Sequence, residues 1–105
     1  PGVCPVLARH FERLIAASEV RRTMGIGLDA LYQRNNPAEA AVRFREVLER
    51  NPDHYGATLQ LAKALDRSGK ADEALALWTK MLEMAEAAQD DETARTVRAR
   101  LALAR

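Results

Sequence analysis

Catalysis and metal binding both need groups that converge, and few residues of this chain are of the right types. Cys4 and His10 have the identities of a thiol nucleophile and its base. They lie six residues apart near one terminus, with no third group to orient the base, whereas such a site is a spatial triad and not a sequence pair. Cys4 is therefore expected to be an ordinary terminal thiol. His10 and His54 are distant in sequence, and no His-x-x-x-His or Glu-x-x-His spacing puts two ligands on one helix face. Glu83, Glu86, Asp90, Asp91 and Glu92 crowd together but lack the oxygen-rich loop spacing and the glycine of a calcium site. A solvated helix end, whose acids favour the next helix's N-terminus, accounts for them. Gly25 and Gly27 follow no strand and precede neither Lys-Ser nor a third glycine, so they make no phosphate cradle. The expectation is a chain without catalytic residues, bound cofactor or metal.

One charged cluster has a further reading. Arg95, Arg98, Arg100 and Arg105 fall in the last eleven residues with no acid among them. Such a helix can touch nucleic acid or an anionic membrane, but without interleaved aromatics the contact is weak and salt-sensitive. Arginine near a helix C-terminus also has a dipole reason to be there. The chain as a whole is balanced, with 16 Lys plus Arg against 15 Asp plus Glu and a formal net charge of +1, which argues against a general polyanion binder.

The elements that would position any such residues are helical. At 105 residues and 48% hydrophobic but only 5% aromatic, the chain is one small domain, and much of its hydrophobic content is Ala and Leu, good helix formers. One cysteine permits no internal disulfide and fits a reducing compartment. No apolar run approaches the roughly 20 residues that span a bilayer, so the expectation is a cytoplasmic chain with no membrane span.

Leu7, Phe11, Leu14 and Ile15 make one helical stripe over residues 5–17, with Pro5 well placed at its start. It reads as a degenerate second helix of a preceding hairpin, or as a helix covering the open end of a helical array. Ser18-Glu19 is expected to break or restart the pattern before a helix over residues 20–34. Asn36, Pro37 and Glu39 give the next start a cap, a first-turn proline and a capping box. Asn51-Pro52 ends that helix, because the residue before proline is pushed out of helical geometry. A helix from about His54 to Arg67 stops at Ser68-Gly69, with glycine as left-handed cap. Another runs from about Ala71 to Ala88, and a last one succeeds an Asp cap in Gln89-Asp90-Asp91, its stripe being Ala94, Val97 and Leu101.

These helices repeat. Ala40, Phe44, Val47 and Leu48 return 34 residues later as Ala74, Trp78, Met81 and Leu82, and Ala30, Leu31 and Asn35 return as Ala64, Leu65 and Gly69. A fixed period carried by helix-spaced positions marks a helical hairpin array. Where Pro52 predicts a second proline the chain has Glu86, so the fourth of these hairpin helices should run on further.

Ala40, Phe44 and Pro52 in the first unit, with Ala62, Gly69, Ala74 and Trp78 in the second, resemble the tetratricopeptide repeat over about Arg21 to Ala88. The resemblance implies an all-α array of antiparallel helix hairpins wound into a right-handed superhelix, about six helices in all. By similarity, Ala40 and Ala74 are sites where two helices nearly touch, and Phe44 and Trp78 fill the space between hairpins. The family's bulky-then-small pair on the first helix appears as Leu61-Ala62 but as Gly27-Leu28 in the first unit. Two units are fewer than such arrays usually need, so one domain over residues 1–105 is expected, with residues 5–17 an N-terminal helix or half repeat, 21–54 and 55–88 the repeats, and 90–105 a capping helix.

The family typically holds partner proteins, and its geometry would line one groove with first-helix residues not used for packing. Those are Arg22, Ile26, Asp29, Tyr32 and Gln33, then Gly56, Leu59, Gln60, Lys63 and Arg67. A tyrosine, aliphatic groups and both charge signs suit an extended peptide or a partner helix. One branch of the family clamps acidic chaperone tails with Lys and Asn, but Asn35, Asn36 and Asn51 are turn residues here. The resulting expectation is a non-enzymatic interaction module with a protein or peptide partner. Alternatives are a self-associating scaffold that forms a homodimer, a client chaperone or assembly factor, and a nucleic-acid or membrane accessory acting through the basic last helix.

Overall fold

Local chemistry fixes the turns of the chain, with a side-chain cap at the start of the helices Pro37–Arg50, Tyr55–Arg67 and Asp91–Leu103 though not of Ala71–Ala87. In the computed structural model, which describes residues 5–104, the side chain of Asn36 accepts a hydrogen bond from the Glu39 N–H at 3.3 Å, and Pro37 opens the helix. The Glu39 carboxylate meets the Asn36 side-chain amide at 3.4 Å, a variant of the expected capping box. His54 Nδ1 accepts from the Ala57 N–H at 3.0 Å, and Asp90 Oδ1 from the Thr93 N–H at 3.2 Å. Helix ends turn through left-handed residues at Asn35 (φ 49°), Gly69 (φ 79°) and Gln89 (φ 57°). The next residue's N–H then closes back on the preceding helix, Asn36 on the Ala30 carbonyl at 2.7 Å, Lys70 on Leu65 and Asp90 on Ala85 at 2.9 Å. Cys4 and Arg105 lie outside the described residues.

Five helices result among the described residues: α1 (Pro5–Tyr32), α2 (Pro37–Arg50), α3 (Tyr55–Arg67), α4 (Ala71–Ala87) and α5 (Asp91–Leu103). Each packs on its neighbours in sequence, and α1 also touches α3. The shape is long, 62 × 32 × 20 Å with a radius of gyration of 16.2 Å, against about 13 Å for a compact chain of this length. Membrane crossing is not available to these helices, since none is long and apolar enough among the described residues.

The count falls from six to five because the expected interruption at Ser18-Glu19 is absent and α1 is a single 28-residue helix. Neither residue breaks a helix: serine costs only a few tenths of a kcal/mol there, and Glu19 is held by Arg50 at the end of α2. A second correction comes with the first. Leu7, Phe11, Leu14 and Ile15 neither form a second helix of a hairpin nor cover an open end, but stay 51%, 55%, 52% and 59% exposed on the part of α1 that projects past α2.

Elsewhere the period becomes packing. Ala30, Ala40, Ala64, Ala74 and Met81 are fully buried, Leu31 and Leu65 nearly so, and Phe44 and Trp78 lie within the same core. The two glycines of α1 differ sharply. A Cβ on Gly27 would lie 2.6 Å from Phe44 Cε1, so α2 approaches α1 through that missing side chain, while a Cβ on Gly25 meets nothing within 4 Å. Gly25→Ala is expected to stabilise the fold by up to about 1 kcal/mol through helix propensity, and Gly27→Ala to destabilise it by about 1–3 kcal/mol through overpacking. Urea unfolding of the two variants checks this by the sign of each change.

Candidate partner-binding groove

Spacing on α1 and α3 brings four of the expected groove residues together. Tyr32 closes the last turn of α1, 46% exposed, and its hydroxyl donates to Gln60 Oε1 on α3 at 2.6 Å. The Arg67 guanidinium stands 5.2 Å from the Tyr32 ring centroid, a cation–π distance, and also donates to the Leu31 carbonyl at 3.4 Å. Lys63, one turn back on α3, joins Tyr32 and Arg67 on the wall of an open depression of about 400 Å³. The remaining expected residues are spread out. Arg22 and Ile26 are exposed further back on α1, Gln33 is exposed beyond Tyr32, Leu59 packs half-buried against the core, and Asp29 is paired with Arg34 at 2.9 Å.

The floor of the depression was not among the expected site residues. Asp66 accepts from Trp78 Nε1 at 2.7 Å and from Arg100 Nε and Nη2 at 2.8 and 2.5 Å, which ties α3, α4 and α5 through one carboxylate. Partial burial acts to raise its pKa, but the hydrogen bonds from Arg100 and Trp78, and the charge of Arg100, outweigh that and hold it below the ordinary value. Hydrogen bonding to Asp66 in turn raises Arg100. Thr96 of α5 completes the edge. The one sequence signal for this network is that an acid and a base stand one period apart, at 66 and 100.

A second tie runs parallel to it. The Tyr55 hydroxyl donates to Asp90 Oδ2 at 2.6 Å, so the cap of α5 also anchors the start of α3. Hydrogen bonds from Thr93 and Tyr55 lower the Asp90 carboxyl, and burial, then the bond to Asp90, raises the Tyr55 phenol. Hydrogen bonds donated by Arg34 to Glu39 first and Asp29 second raise its pKa. Ion pairing thus satisfies Asp29 and Asp66, whereas Arg22, Lys63 and Arg67 have no acidic partner among the described residues. The groove therefore presents net positive charge around a half-exposed aromatic ring.

A family model described as tetratricopeptide repeat matches residues 31–101, from the end of α1 to α5. The chain belongs to the tetratricopeptide-repeat family. No curated protein and no solved structure matches the chain. Tetratricopeptide repeats generally mediate protein–protein interactions and are typically non-enzymatic scaffolds. The tetratricopeptide-repeat match takes in α2 through α4 and most of α5, and leaves outside it the turns of α1 that carry the exposed stripe.

Proposed function

We propose that this chain is a non-enzymatic interaction module that holds a segment of a partner protein along the groove of α1 and α3, in a cytoplasmic setting. The observation that carries the reading is Tyr32, half-exposed yet oriented by Gln60 and Arg67, beside cations left without acids of their own. A ring already oriented loses little entropy when a partner covers it, which is how tyrosine comes to dominate binding energies. Lys63 and Arg67 then meet carboxylates or backbone carbonyls of the segment.

The test begins with a partner recovered by affinity capture and then measured against variants. Tyr32→Ala is expected to weaken binding by about 2 kcal/mol, roughly thirtyfold, and Lys63→Glu to weaken it by at least about tenfold. Both should leave the melting temperature nearly unchanged, since neither side chain is in the core. Arg45→Ala, which removes only a surface pair to Glu73, should do neither. A partner that responds only to changes at Arg95, Arg98 and Arg100 would move the function to the basic face of α5.

A further inference from the structure

The exposed stripe of α1 and the groove are on one line. Leu14 and Tyr32, and likewise Phe11 and Asp29, are eighteen residues apart on one unbroken helix, five whole turns at about 3.6 residues each. Ser18 and Arg22 continue the steps of four from Leu14, so a single face runs from Leu7 to the groove. The opposite face of α1 is the one that carries the buried Gly27, Ala30 and Leu31.

That face changes character along its length. Its first half is apolar and more than half exposed at Leu7, Phe11, Leu14 and Ile15. Its second half is basic, with Arg22 on α1 and then Lys63 and Arg67 across on α3. We infer that the occupant of this surface is one amphipathic partner helix, with an apolar face that covers the stripe and acidic residues that reach Arg22, Lys63 and Arg67. The inference rests on the groove reading above and extends it by about four turns, to a surface roughly 40 Å long, the span of α1.

A second copy of the chain fits less well. Its own α1 matches the apolar half but, among the described residues, offers the basic half only one unpaired acid, Glu12. Against Arg9, Arg13, Arg21 and Arg22, α1 carries Glu12, Glu19 and Asp29, and of these Glu19 is held by Arg50 and Asp29 by Arg34. Helix-in-groove recognition needs apolar anchors at steps of three and four together with opposite charge at the rim, and only an acidic amphipathic helix supplies both.

The experiment uses the full chain and two synthetic helical peptides of about 25 residues with an identical leucine stripe, one bearing glutamate at the remaining positions and one bearing lysine. Fluorescence anisotropy is expected to show the acidic peptide binding at least about tenfold tighter than the basic one. Phe11→Glu and Lys63→Glu should each cost about tenfold or more, with helical circular dichroism retained, because neither side chain is buried. No binding of the acidic peptide, or equal binding of both peptides, overturns the proposal. If only Lys63→Glu and Tyr32→Ala matter, the groove reading stands and the extension along α1 falls. If only Phe11→Glu matters, the groove reading falls and takes the combined site with it. Sedimentation showing a dimer that Phe11→Glu dissociates and the acidic peptide does not overturns it in favour of a second copy.

Discussion

Trp78→Ala is expected to destabilise the chain by about 3–5 kcal/mol, a drop in melting temperature of roughly 15 °C or more for a domain of this size. The indole is 4% exposed, in the core where α3 and α4 meet, and its N–H is one of the three donors to Asp66. Truncation therefore removes a large apolar volume and leaves a half-buried carboxylate with fewer donors. Trp78→Phe keeps most of the volume, so its smaller expected cost, about 1 kcal/mol, isolates the hydrogen bond. Thermal melts of the two variants side by side measure both terms, and a loss under about 1 kcal/mol for Trp78→Ala would show that the ring fills no essential space.

Deleting residues 90–105 is expected to have a comparable or larger effect. Helix α5 buries Ala94 and Val97 against the array, with Leu101 packed on the core, and Val97 and Leu101 together are worth roughly 3–4 kcal/mol. The deletion also removes Arg100 from Asp66 and Asp90 from Tyr55. The exposed side of α4 then lacks the polar end that helical arrays need, and association or aggregation should result. An acid titration adds a second readout. In the intact chain the lowered Asp66 pKa contributes stability that is present above the carboxyl's unfolded value of 3.8 and is lost as pH falls through the folded one. Without Arg100 the truncated chain should lose that part of its acid sensitivity. A monomeric truncation of unchanged stability and unchanged acid dependence would reduce α5 to an appendage.

Local chemistry was legible in the sequence, and tertiary chemistry was not. Asn36-Pro37, Asn51-Pro52, Gly69 and Asp90 act within a few residues of themselves, so their types alone announce the turns. Phe44 and Trp78 stand out because an array places them in equivalent surroundings one period apart. Ser18-Glu19 misled for a related reason: a change in the apolar stripe looks like a helix end, yet helix ends require a residue that stops the backbone, and none is there. The stripe changes because α1 leaves the array, not because the helix stops. Asp66 gave little away, since its value depends on donors from two other helices. A glycine inside a helix fits either a close approach or a bend, and at Gly27 the 2.6 Å that would separate an added Cβ from Phe44 decides for the first.

The packing of α1 on α2, α2 on α3, α3 on α4 and α4 on α5, with α1 also touching α3 and α5 and its cap reaching α3 through side-chain bonds, has a kinetic side. Contacts between residues close in sequence require little loop closure before they reward it, so chains of this kind fold in microseconds to milliseconds, on the order set by helical topologies. No step must wait for the two ends to meet. A hairpin can therefore close while the rest of the chain is still unstructured, and the array is able to grow from the ribosome in the order in which it is made.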